Sequence, residues 1–156
     1  MTYVRPHLEF CTHIFNPTTK KCSDIIEDIQ HLATRLICRR KQKTKHLRYE
    51  ERLNYLNLSQ LSDRRTATDL SLLQQVYQGW TQVNPNIPNF PKFAKNLPRH
   101  ENTRFKLPLI KTKIKQESFL IRSIETFHQL PLPLRLKFSQ KNFKGLVLSH
   151  LAKRKF

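Results

Sequence analysis

The stretch NPNIPNFPKFAKNLP, residues 84–98, limits what this chain can fold into more than any other segment. Each of its four prolines fixes its own φ, lacks an amide donor and biases the preceding residue toward extended backbone. Neither a helix nor an interior strand runs through such a segment. It therefore divides the chain into residues 1–80, a linker over 81–115, and residues 116–156. The linker reads as extended over 81–104. Beyond that, FKLPLIKTKIK at 105–115 alternates apolar and basic residues like an edge strand, with Pro108 confining it to an edge.

On either side of the linker the apolar residues recur at helical spacing. Ile25, Ile26, Ile29, Leu32, Ala33, Leu36 and Ile37 fall on one stripe at the 3.6-residue period, behind Ser23 as a candidate N-cap. Asp24, Glu27 and Asp28 lie near the start of this helix and Arg35, Arg39 and Arg40 near its end, an order that suits the helix dipole. A short second helix is predicted through Tyr49, Leu53 and Leu56. A third follows Ser59 and Ser62, with Leu61, Leu70, Leu73, Val76 and Tyr77 on its apolar side and Gly79 as its stop. After the linker, one helix is predicted from about Glu117 to Gln129, with Phe119, Ile124 and Phe127 inward and LPLP ending it. A last one follows Ser139, with Phe143, Leu146, Val147 and Leu151 on one face. The fold class is mainly α: a small helical bundle, a proline-rich basic linker and a second small C-terminal helical cluster.

Charge narrows the function. Lys and Arg number 29 against 11 Asp and Glu, for a formal charge of +18. Residues 1–98 hold fifteen basic and eight acidic side chains and residues 99–156 fourteen and three, so the shorter C-terminal part holds the larger excess. Such a chain attracts polyanions, nucleic acid first among them. With two glycines in all there is no Gly-rich phosphate loop, and G-x-S-x-G, H-E-x-x-H and paired aspartates are missing too. His7 and His13 near Cys11, with Cys22, lack a fourth metal ligand. We expect no catalytic residue, no cofactor and no metal. Cys11, Cys22 and Cys38 form no C-x-x-C pair, and no apolar run approaches the roughly 20 residues of a membrane span. The expectation is an intracellular protein of the nucleus or cytoplasm with no membrane partner and no small-molecule substrate.

Three segments in order, YVRPHLEFC, IIEDIQHLATRLI and YEERLNYLNLSQLSDRRTATDL, resemble the region downstream of the polymerase core in non-LTR (LINE-type, jockey-like) retrotransposon reverse transcriptases. Val4, Arg5, Pro6, Leu8, Glu9 and Phe10 match that family's V-R-P-x-L-E-[YF] box. Glu27, Gln30, Thr34, Arg35 and Ile37 match its next helix. Tyr49, Arg52, Leu53, Leu56, Arg64, Arg65, Asp69 and Leu70 match the Y-x-x-R-L and R-R-x-x-x-D-L elements. Arg122, Leu130 and Pro131 match an R-x-x-x-x-W-N-x-L-P element in which Phe127-His128 replaces Trp-Asn, and Phe143 and Lys144 match the closing F-K helix. Phe15 stands where the family usually has Trp, and residues 81–115 agree in character alone.

The resemblance implies that the endonuclease, the fingers and the palm with its metal-binding carboxylates would lie before residue 1. What remains is similar to the thumb, which cradles the template–primer duplex, plus a basic C-terminal extension. Expected partners are therefore nucleic acid, as an RNA–DNA hybrid or other duplex gripped without sequence reading, and the missing palm and fingers of a parent polymerase. From spacing and charge, the expected phosphate contacts are Arg39, Arg40, Lys41, Lys43, Lys45, Lys111, Lys113, Lys115, Lys153 and Arg154. Arg5–Glu9 and Arg65–Asp69 are assigned to structure, as partly buried pairs pinning segments together. Two other readings compete: a relic of a truncated element with no selected function, and a helical adaptor that binds a partner helix.

Overall fold

The computed structural model describes residues 4–17, 19–40, 44–82, 91–92, 104–107, 109 and 112–153, with the backbone alone for Arg5 and Ile114. The protein is mainly helical, and no strand occurs among the described residues. In chain order the helices are α1 (Val4–Glu9), α2 (Lys20–Arg39), α3 (Tyr49–Tyr55), α4 (Leu61–Tyr77), α5 (Lys113–Glu117), α6 (Phe119–Gln129), α7 (Leu132–Arg135) and α8 (Phe143–Lys153). They form two compact units, residues 1–65 with 151–156, and residues 66–150. The division falls within α4, not in the proline-rich stretch.

In the first unit, α2 begins at Lys20, four residues before the start read from Ser23 as N-cap. The Thr19 hydroxyl accepts from the Cys22 amide at 3.4 Å and caps it. Its far end is closed by Thr44, whose buried hydroxyl donates to the Cys38 carbonyl at 2.8 Å. The short α1 tolerates Pro6 because the first-turn amide it lacks would have no intrahelical acceptor. Asn57 ends α3 in the left-handed region, φ 51°. There the Leu58 amide reaches the Leu53 carbonyl at 2.8 Å and the Asn57 amide the Asn54 carbonyl at 3.1 Å, a Schellman closure.

The burial of α2 is the reverse of what its apolar stripe suggests. Gln30, Thr34 and Cys38 are its buried residues. Ile25, Ile29, Leu32 and Leu36 on the opposite side are 46–57% exposed. Periodicity located the stripe correctly, but the neighbouring helices cover the polar side.

The second unit is built the conventional way. Leu70, Leu73 and Val76 of α4 are buried, as are Ile121, Ile124 and Phe127 of α6 and Phe143 and Val147 of α8. Gly79, φ 69°, ends α4 as expected. The Trp80 amide bonds the Gln75 carbonyl at 2.9 Å and the Gly79 amide the Val76 carbonyl at 3.2 Å. The LPLP segment ends α6 at Leu130 and also begins α7, with Pro131 at the N-cap.

Among the described residues of 105–115 the expected edge strand is reduced to one backbone bond, from the Lys106 amide to the Lys92 carbonyl at 2.8 Å. Thr112 caps α5 through its hydroxyl, which accepts from the Lys115 amide at 3.4 Å, so residues 113–115 are helical. Phe105, placed in the linker by composition, is buried in an aromatic cluster with its ring centroid 4.7 Å from Tyr77, 5.2 Å from Phe127 and 5.9 Å from Phe138. An alternating segment becomes a strand only where another strand offers its edge; here an aromatic pocket takes the one aromatic side chain of the segment.

Candidate nucleic-acid interface

Several of the residues that carry the resemblance converge in the first unit. Glu27 of α2 is the hub. Its carboxylate accepts from the Tyr49 hydroxyl of α3 and from the Leu61 amide at 3.0 and 3.2 Å, capping the start of α4 from another helix. Gln30, one turn on, donates to the Tyr49 hydroxyl at 2.9 Å and accepts from Arg64 of α4. Arg64 also donates to the Ser59 carbonyl at 2.8 Å, and its Nε lies 2.7 Å from a Glu9 carboxylate oxygen of α1. Four helices thus share one polar cluster. Burial, and then the bond to the Glu27 carboxylate, push the Tyr49 phenol well above its ordinary range, so it remains a donor at any physiological pH.

Two further arginines complete the frame. Arg52 donates to the Leu47 carbonyl at 2.7 Å, stands 3.1 Å from His31 Nε2 and lies over the Tyr49 ring. Arg65 donates twice to the Leu8 carbonyl, at 2.8 and 3.2 Å, tying α4 to α1. In the second unit Asp69 accepts from Arg122 at 2.9 and 3.2 Å, while Arg122 also donates to the Glu117 carbonyl at 3.1 Å. The structural role assigned to Glu9, Arg65 and Asp69 therefore includes long-range partners that local spacing did not reveal. The Arg5 side chain lies outside the described residues.

These arginines are spent on protein groups. The candidate phosphate contacts behave differently: Arg39 and Arg40 end α2, Lys45 follows in the next turn, and all three are exposed. Lys153 at the end of α8 is exposed as well. Lys113 and Lys115 are exposed on α5, where Lys113 lies 4.0 Å from Glu117 and Lys115 donates to the Leu109 carbonyl at 3.3 Å. Lys41, Lys43, Lys111 and Arg154 lie outside the described residues. Arg39, Arg40 and Lys45 thus share the first unit, whereas Lys113 and Lys115 belong to the other.

Sequence reasoning passed over the roles of two polar groups, buried Gln74 and half-buried His128. Gln74, on the apolar side of α4, donates to the carbonyls of Phe138 and Gln140 and so holds the turn before α8. His128 accepts the Phe105 amide on Nε2 at 3.0 Å. The one available signal was a polar residue at an apolar register position, as Gln74 is four residues after Leu70.

Among the described residues no three His, Cys, Asp or Glu side chains converge as metal ligands would, and no helix is long and apolar enough to cross a membrane. A pocket of about 80 Å³ beside α3 is lined by Leu53, Asn54, Ser59 and Gln60 with Glu50 and Asp63. Ligand pockets usually measure about 300–1,000 Å³, and two carboxylates repel phosphate. No protein-family profile, curated protein or solved structure matches the chain.

Proposed function

We propose that this chain grips nucleic-acid duplex without reading sequence, as the thumb-like part of a non-LTR-type reverse transcriptase does. The observation that carries the reading is the division of labour among its polar residues. The motif residues Glu9, Glu27, Gln30, Tyr49 and Arg64 are consumed in one internal cluster, which leaves them an architectural role. The basic residues outside the motifs, Arg39, Arg40 and Lys45 foremost, are exposed and free to meet phosphates. A +18 chain of this kind binds by releasing counterions from the duplex, so the logarithm of its affinity falls linearly with the logarithm of salt concentration. In this reading the chain performs no chemistry of its own, and a polymerase palm is its natural partner.

The test is fluorescence anisotropy of a short RNA–DNA hybrid titrated from low to physiological salt. Saturable, steeply salt-dependent binding is expected, weakened and flattened in slope by Arg39→Ala with Arg40→Ala. Affinity unchanged in that variant, or heparin binding as tight as hybrid binding, would remove the reading. Deoxynucleotide incorporation on a primed template by the pure chain would refute the non-catalytic part.

A further inference from the structure

The outer face of α2 carries four large apolar side chains with no cover. Ile25, Ile29, Leu32 and Leu36 are 55, 46, 57 and 54% exposed. Their 4-3-4 spacing is the heptad seam by which one helix packs lengthwise on another. Taking 100° per residue, the seam lies opposite Gln30, Thr34 and Cys38, the face already used inside the unit. One flank of the seam is charged in a directional order, with Asp24 and Asp28 in its N-terminal half and Arg35 and Arg39 in its C-terminal half. All four are exposed.

That order says what fits. If a second α2 lies antiparallel across a two-fold axis, Ile25 meets Leu36 and Ile29 meets Leu32 of the other copy. On the flank, Asp28 then faces Arg35 twice over, once on each side of the axis. A parallel arrangement sets acidic half beside acidic half and basic beside basic. We propose that the outer face of α2 is a self-association surface, on which a second copy of this chain seats its own α2 antiparallel. The pairing is self-complementary, as an isologous interface must be. Three turns of seam make a small interface, so the dimer dissociates reversibly rather than being permanent.

Sedimentation equilibrium of the full chain, stripped of nucleic acid by nuclease and a high-salt wash, tests this. The stripping matters because a +18 chain collects on any polyanion. Between low and high micromolar concentration the mass should rise from 18.7 kDa toward twice that value. Leu32→Glu should hold it at the monomer mass with an unchanged far-UV helical spectrum. Asp28→Arg and Arg35→Asp should each weaken the dimer about tenfold, since either one makes both symmetric contacts repulsive. Combining them should restore it, a result that does not depend on Leu32→Glu folding. A monomer throughout the range, a dimer indifferent to Leu32→Glu, or a charge swap that restores nothing overturns the proposal. So does a monomer that needs the same seam to bind a polymerase core supplied in trans.

Discussion

The two units of this protein are assembled by opposite means. The first joins α1, α2, α3 and the start of α4 through carboxylate, amide, phenol and guanidinium groups around Glu27, Gln30 and Arg64. The second joins its elements through rings: Phe127, Phe138 and Phe143 stand in edge-to-face contact at 4.9 and 5.3 Å, with Phe105 and Tyr77 beside them. Apolar burial is strong and tolerant of direction, whereas a buried polar cluster is nearly neutral when complete and costly when one member is missing. The first unit thereby gains a fixed arrangement of four helices at little net stabilisation, and α2 turns its polar side inward to build it. The exposed apolar seam of α2 is the consequence of that choice.

The largest expected effect lies in the ring cluster. Phe127 is fully buried, and Phe127→Ala leaves a cavity that costs about 3–5 kcal/mol. Urea denaturation followed by near-UV circular dichroism measures it; a cost below 1 kcal/mol would mean that this unit is loosely filled. In the polar unit, Glu27→Gln strips the Tyr49 hydroxyl and the Leu61 amide of their shared charged acceptor and should cost about 1–3 kcal/mol. Adding Tyr49→Phe should then cost less than it does alone, because the bond to the Glu27 carboxylate has already gone and only the one accepted from Gln30 remains. If the two costs simply add, the cluster is a set of independent bonds and the contrast between the units weakens.

What was legible in the sequence follows the same divide. The helices of the second unit could be read from Leu70, Leu73, Ile124, Phe127 and Val147, because their apolar face is their buried face. For α2 the period was right, yet it could not tell which side neighbours would cover, since that depends on Gln30 meeting Arg64 thirty-four residues away. The motif resemblance singled out those polar residues without supplying their partners. Helices of four to six residues, as α1, α5 and α7 are, carry too few turns to show a period at all. The burial of Phe105 was not legible because an aromatic among prolines and lysines, as Phe90 and Phe93 also are, looks like linker until a pocket receives it.

A smaller effect tests how α4 ends. Gly79 sits at φ 69° with open space where a Cβ would point, so Gly79→Ala meets backbone strain and no clash. The expected cost is about 1–2 kcal/mol, read as a lower Tm. Gly79→Asn should cost less, because asparagine enters the left-handed region more readily, as Asn57 already does at the end of α3.

The smallest effect is the one that separates the units by pH. His128 accepts the Phe105 amide through Nε2, so the folded state needs its imidazole neutral there. Burial, and then the charges of Arg135 and Arg104, hold its pKa below the ordinary 6.5. The unfolded chain therefore binds a proton at this site before the folded chain does. The contribution is present in full above pH 6.5 and is lost as pH falls through the depressed folded value. Thermal melts between pH 7.5 and 5 should show the second unit losing stability over that interval. The slope should shrink in His128→Gln, whose amide oxygen can still accept the Phe105 amide but does not titrate. An unchanged slope in that variant would place the pH response elsewhere than at the bond between His128 and Phe105.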